Sequence, residues 1–338
     1  MNNKLKEIKM KLNKTHIVSE KTEIQMYRKY KILVVNLPSI GCKYGKQGLC
    51  VMCPNEMRIS KNLTITQIED IWQSIEQQIS ELEVDKVLLS TYGNILSEDE
   101  LSRDVLDYLL EKLNKIDKIR VVIFETYYKE ITEEKIKYLN EKLSNKYIDF
   151  ETGIESMDTE VQQKCLNKEV NLEELREKIK LIHKYDMAIE ANVLVGIPFL
   201  TTKEQIEDVT NTIECLIKEN VDEIVLFPVN IIKNSTIEFL YNNNVYKNIS
   251  HWTVIKVLDN IREEFLNRIS ISMFGEYETS NKTCFKENIF PRTCDKCYNT
   301  IMHFYDEFLK IRDPKDRKKL ITDLLNLNTD CDCKKEIE

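Results

Sequence analysis

Short β-branched runs alternate with longer stretches of helical spacing through the middle of this 338-residue chain, and that alternation constrains its fold more than any other feature. Strands are expected at Lys31–Asn36, Lys86–Thr91, Arg120–Glu125, Tyr147–Glu155, Ala188–Val195, Glu223–Val229 and Ile269–Phe274. Between them, helices are expected over 64–82, 98–115, 131–144, 171–185, 202–218 and 251–267. Ile65, Ile68, Ile71, Trp72 and Ile75, for example, recur at the three-to-four spacing of an amphipathic helix. Such alternation implies a parallel sheet with right-handed crossovers. The expected fold class is α/β, a partial (β/α)6 TIM-like barrel with a small cysteine-rich C-terminal appendage. Residues 1–29 read as a leading helix or arm, 30–275 as the barrel and 276–338 as the appendage. In barrels of this kind functional groups gather at the carboxyl ends of the strands. Gly93, Gly153 and Gly196 each fall at or just after a strand end, in a chain that has only seven glycines.

Ten cysteines are placed unevenly, three within Cys42–Cys53 and five between Cys284 and Cys333. The opening residues lack the apolar core of an export signal, and no stretch nears the ~18 apolar residues of a membrane span. A cytoplasmic location is therefore expected, where clustered thiols serve as metal ligands or catalytic groups more often than as disulfides. Cys165 and Cys215 stand alone in helical patterns and read as small core residues. The net charge of −8 argues against a protein devoted to gripping phosphate backbones. The basic run 312–319 reads as a solvated helix start.

Directly after the first expected strand the chain runs from Pro38 through Cys42, Cys50 and Cys53 to Pro54, a C-x7-C-x2-C spacing with Gly41, Gly45 and Gly48 around it. Thiolates ligate iron–sulfur clusters, normally in fours. Three local ligands leave one iron open to a substrate or cofactor. A zinc site with a distant fourth ligand, or three unrelated thiols, would give the same pattern.

This loop resembles the cluster loop of the radical S-adenosylmethionine (SAM) superfamily, especially the branch of the archaeosine-forming tRNA-modifying enzyme and the elongator catalytic subunit. The likeness runs over roughly 31–338. It implies a 4Fe–4S cluster on Cys42, Cys50 and Cys53 and reductive cleavage of SAM to a 5′-deoxyadenosyl radical that abstracts hydrogen. That is oxidoreductase or transferase chemistry, fed by an electron donor such as flavodoxin or ferredoxin. By the same likeness Met52 meets the adenine, and Tyr92 and Gly93, in the Ser90–Asn94 turn, lie near the SAM amino group. Glu125, in Phe124-Glu125-Thr126, is similar to part of a Glu-Ser-Arg segment, with Tyr127 where relatives often carry arginine. Glu155 and Ser156, in a Gly-x-Glu-Ser arrangement followed by Asn167 and Lys168, are placed near SAM. Asn192, Gly196 and Ile197 belong to the strand that lines the adenine.

A second thiol group, Cys294 and Cys297 with Cys331 and Cys333, forms two close pairs separated by a helical stretch, the usual build of a tetrahedral thiolate site. Similar pairs occur near the end of the archaeosine-type relatives. Zinc and an auxiliary iron–sulfur cluster are both compatible with these ligands, and Cys284 is a possible further member. For the substrate, a small molecule or peptide is favoured over tRNA, because the chain is acidic and carries no appended basic domain. A non-catalytic iron–sulfur or zinc-binding module is the alternative of another class.

Overall fold

A computed structural model describes residues 25–29, 31–42, 45, 49–53, 63–91, 93–272, 289–327 and 331–337, the first of these segments by its backbone. Among the described residues, two compact units are present. One holds the residues up to Gly153 together with Asn171–Ile189. The other holds Ile154–Val170, the residues from Glu190 to Ser272 and those from Ile289 onward. Tyr92 and Cys284 lie outside the described residues.

In the first unit β1 (Gln25–Lys29) pairs antiparallel with β2 (Ile32–Asn36). Of the leading helix or arm expected over residues 1–29, only Gln25–Lys29 fall among the described residues, and these form a strand. β3 (Lys86–Ser90), β4 (Val121–Glu125) and β5 (Tyr147–Glu155) then add in parallel. Their crossovers are α1 (Ile65–Glu81), α2 (Arg103–Asn114) and α3 (Glu133–Lys142), with α4 (Leu172–Lys184) following β5. Local sequence sets the starts of these helices. Thr64 caps α1 by accepting from the Gln67 amide, while the Gln67 side chain accepts from the Thr64 amide at 3.0 Å. The stripe Ile68, Trp72, Ile75 and Ile79 is buried beneath. The helix expected from residue 98 begins only at Arg103, because residues 97–101 are turns and Glu100 among them is buried.

Register explains where this sheet becomes chemical. Val34, Leu88 and Ile123 stand side by side on neighbouring strands and form a buried apolar layer. Each such aliphatic side chain contributes about 1.5–3 kcal/mol on burial. Two residues nearer the carboxyl ends the same positions become Asn36, Ser90 and Glu125, with Glu151 in register beside Glu125. Alternation keeps these side chains on the face of the apolar layer.

The second unit has parallel strands β6 (Ala188–Val195), β7 (Glu223–Pro228) and β8 (Ile269–Ile271). α5 (Thr202–Lys218), α6 (Thr236–Asn242) and α7 (His251–Asn260) lie between them in the chain, and α8 (Tyr298–Lys310) and α9 (Pro314–Asn326) follow. The basic run does start a helix, capped by Asp313, but it is not wholly solvated. Arg317 is buried, its guanidinium donating to the carbonyls of Ile311 at 2.8 Å, Ile269 at 2.7 Å and Leu266, and lying 4.3 Å over the Phe308 ring. No helix among the described residues is long and apolar enough to cross a membrane.

Candidate cofactor and metal sites

The loop after β2 carries Cys42, Cys50 and Cys53, all partly exposed, and none of the nine described cysteines forms a disulfide. Gly41 takes a φ of 80°, a region that glycine enters freely, and its amide donates to the Ser39 hydroxyl at 2.9 Å. Val51 is fully buried and pins the loop between Cys50 and Cys53, with Met52 half-buried beside it. The donor set is three thiols on a strand-end loop, which fits a cluster that hangs each thiolate from its own iron.

On the same unit Gly93 is required by what lies against it. A side chain there would meet the Glu100 carboxylate, 2.9 Å from its carbon. Glu100 cannot swing aside cheaply: it accepts from the Thr91 hydroxyl at 3.0 Å and the Asn94 amide at 2.9 Å. Asn94 in turn accepts from the Tyr127 amide at 2.6 Å, so this network ties together the turns that follow β3 and β4. Glu125 accepts a hydrogen bond from the Ser90 hydroxyl. Ser90 and Glu125 are thus brought together as the register demands.

The second unit positions Glu155 and Ser156 in an unusual backbone. Glu155 has a φ of 71°, a costly conformation for a side chain of its size and one that collects at functional sites. Its carboxylate pairs with Lys168 at 2.7 Å. A π-helical turn, Val161–Leu166, precedes Lys168 and ends on Asn167 in the left-handed region, which turns the lysine back toward the strand end. Ser156 is fully buried; its hydroxyl donates to Asp208 at 2.6 Å and accepts from the Asp158 amide at 3.0 Å. Burial pushes the Asp208 carboxyl up to about 6.

Asn192 is buried on β6. Beyond it Gly196 takes a φ of 112°, and its amide and that of Ile197 both donate to the Gln205 side chain at 3.0 Å. Sequence reasoning missed Gln205, Asp208 and Glu100. The signal for two of them was present: Gln205, Asp208 and Thr212 occupy the buried face of α5, where an apolar stripe is the norm.

Cys294, Cys297, Cys331 and Cys333 converge, their sulfurs all within 4.8 Å of one another, with Cys294 to Cys331 at 3.2 Å. Burial pushes the Cys297 and Cys333 thiols up, to about 11 and about 12. Four adjacent thiolates would repel one another, and a cation between them would hold them together. Sulfurs this close suit one tetrahedral ion with metal–sulfur bonds of about 2.3 Å. A cube of four irons spreads its thiolates wider.

No family model matches the chain. An uncharacterized protein of Methanocaldococcus jannaschii is 25% identical over 99% of this chain and 92% of its own length. The beta subunit of archaeosine synthase from Methanosarcina acetivorans is 24% identical, over 68% of this chain and 66% of the subunit. Among solved structures, the Elp3 protein of Methanocaldococcus infernus superposes with a TM-score of 0.51 at 12% identity, covering 72% of this chain and 58% of that one. Methylornithine synthase gives 0.51 at 12% identity, covering 94% of this chain and 91% of that one. At this identity the likeness shows the fold alone: the chain has their α/β partial-barrel architecture.

Proposed function

We propose that this chain is a radical SAM enzyme whose Cys42, Cys50 and Cys53 hold a 4Fe–4S cluster. The observation that carries the reading is a three-thiol loop at the carboxyl end of β2, in the fold shared with enzymes of that kind. When bound, the cluster supplies the electron that cleaves SAM to a hydrogen-abstracting 5′-deoxyadenosyl radical, drawn from a donor such as flavodoxin or ferredoxin. The chain's own residues bind and orient. Val51 and Gly41 fix the loop, and Met52 offers an apolar contact beside the last thiol. The Gly93 turn, buttressed by Glu100, presents backbone groups. Glu125 and Glu155 supply acceptors for an amine and a ribose, Ser156 fixes the backbone beside Glu155 through its buried hydroxyl, and Asn192, Gly196 and Ile197 line a planar base. The four C-terminal thiols hold a structural ion, for which zinc fits the sulfur spacing. Reduced, reconstituted protein tests the reading: its electron-paramagnetic signal changes on adding SAM, and an unchanged signal would contradict it.

Two substrate classes are supported by different observations. The net charge of −8 favours a small molecule or peptide, since phosphate contacts carry most of the affinity for a nucleic acid. The likeness to archaeosine synthase subunit beta favours a tRNA base. Titration with bulk tRNA at low salt separates them. Micromolar binding that weakens steeply with salt, together with tRNA-dependent SAM turnover, selects the tRNA base. Turnover indifferent to tRNA selects the small substrate.

A further inference from the structure

We infer that Tyr246 is a positioning residue for the Gly196 loop, and that the four C-terminal thiols act on cofactor binding through it. The inference rests on the assignment of Gly196 and Ile197 to the SAM site.

The Gly196 carbonyl is held by a side chain distant in sequence. The Tyr246 hydroxyl donates to it at 2.8 Å, within a buried environment. A side chain at Gly196 would lie 3.2 Å from that hydroxyl, 3.2 Å from Val229 and 3.3 Å from Ile249, so these three residues grip the glycine on one side. On the other, Gln205 takes both amide protons. The backbone of the loop is therefore held from two directions, and its φ of 112° is fixed in place. Tyr246 and Ile249 both come from the segment tied to the thiols, and Tyr246 is the one whose side chain hydrogen-bonds the loop.

That segment is tied to the metal site residue by residue. Asn248 lies with its side-chain oxygen 3.4 Å from the Tyr246 hydroxyl, and its amide donates to the Phe290 carbonyl at 2.8 Å. Arg292, two residues before Cys294, donates from its amide to the Ile249 carbonyl at 2.7 Å and from its side chain to the Asn248 carbonyl at 2.6 Å. The same guanidinium pairs with Glu336, three residues beyond Cys333, and Glu336 also pairs with Lys247 at 2.7 Å. The Ser250 hydroxyl donates to the Cys333 carbonyl at 3.0 Å. Residues 246–250 are thus clamped between the two thiol pairs. An ion that joins Cys294 and Cys297 to Cys331 and Cys333 closes the clamp. Its loss releases the C-terminal pair, Glu336 and the Ser250 contact together, and with them the placement of Tyr246. Coupling of this sort is a chain of specific contacts with two arrangements, ion held and ion lost.

The test uses the intact chain with its cluster reconstituted, and SAM affinity read by equilibrium dialysis. Tyr246→Phe removes one hydroxyl and leaves a buried carbonyl without its donor, so SAM affinity falls about tenfold. Losing the donor also lowers the thermal midpoint by a few degrees, but cluster iron and C-terminal metal stay at parent levels, so the fall in SAM affinity is not explained by loss of either metal. Cys331→Ser weakens SAM by a similar factor, and the double variant is no weaker than the worse single one. Arg292→Lys, which keeps the metal ligands and breaks the contact to Asn248, gives the same loss without disturbing the ion. Parent-like SAM affinity in Tyr246→Phe, or losses that multiply in the double variant, would overturn the inference while leaving the proposed function standing. A parent that binds no SAM at all would overturn both.

Discussion

The Ser156 hydroxyl donates to Asp208 at 2.6 Å, and the second oxygen of that carboxylate is buried with no hydrogen-bond partner among the described residues. Burial is the dominant influence on Asp208, and with the Asp158 charge it outweighs the serine's hydrogen bond, raising the carboxyl to about 6 from an ordinary 3.8. The folded chain therefore holds this proton more tightly than the unfolded chain does. Its contribution to stability is complete below pH 4 and is lost as pH rises through 6. Shifts of this size correspond to about 3 kcal/mol. Asp208→Asn keeps the shape and the acceptor for Ser156 but cannot ionise. Denaturant midpoints of the parent minus those of the variant should fall between pH 4 and pH 6.5 and then level off. A difference that stays flat across that range would contradict the account.

Gly93 and Glu100 form a second such pair, in the first unit. Replacing Gly93 by alanine drives a methyl group against a carboxylate that two hydrogen bonds hold in place. Overpacking at a site that cannot yield costs about 1–3 kcal/mol. Gly93→Ala should lose that much in chemical denaturation, and pairing it with Glu100→Ala, which removes the obstruction, should recover part of it. Equal losses in the single and double variants would mean that Glu100 is not the obstacle.

The thiol quartet predicts a metal count. Purified protein should carry one ion on these sulfurs in addition to cluster iron, and a chain truncated before Asp330 should lack it. Metal-binding free energy is folding free energy, so the truncated chain should also melt several degrees lower. Unchanged metal content after truncation would sink the site.

Much of the fold was legible because each β-branched run is short and each helix carries its own start signal. Residues 202–218 form the expected helix to the residue, and Thr201 and Glu204 reciprocally cap it. Tyr147–Glu155 and Ala188–Val195 are likewise strands over their expected lengths. The elements that escaped were those fixed by distant partners. β1 exists by pairing with β2, and its polar pattern gave no hint of a strand. The π-helical turn before Asn167 has no sequence code that separates it from an α-helix. In the candidate sites the four C-terminal thiols, which converge in the structure, were visible in the sequence as two close pairs. The residues that hold the sites were not. Asp208 is 52 positions from Ser156 and Tyr246 is 50 from Gly196, and only folding makes such pairs neighbours.

Formation of 5′-deoxyadenosine tests the central claim most directly. Anaerobically reconstituted protein, brown from its cluster, should release it from SAM when given a strong reductant. A variant in which Cys42, Cys50 and Cys53 are all replaced by alanine should release none above background, while keeping the C-terminal metal ion. Release of 5′-deoxyadenosine by that triple variant at the parent rate would contradict the assignment of the loop, and with it the proposed chemistry.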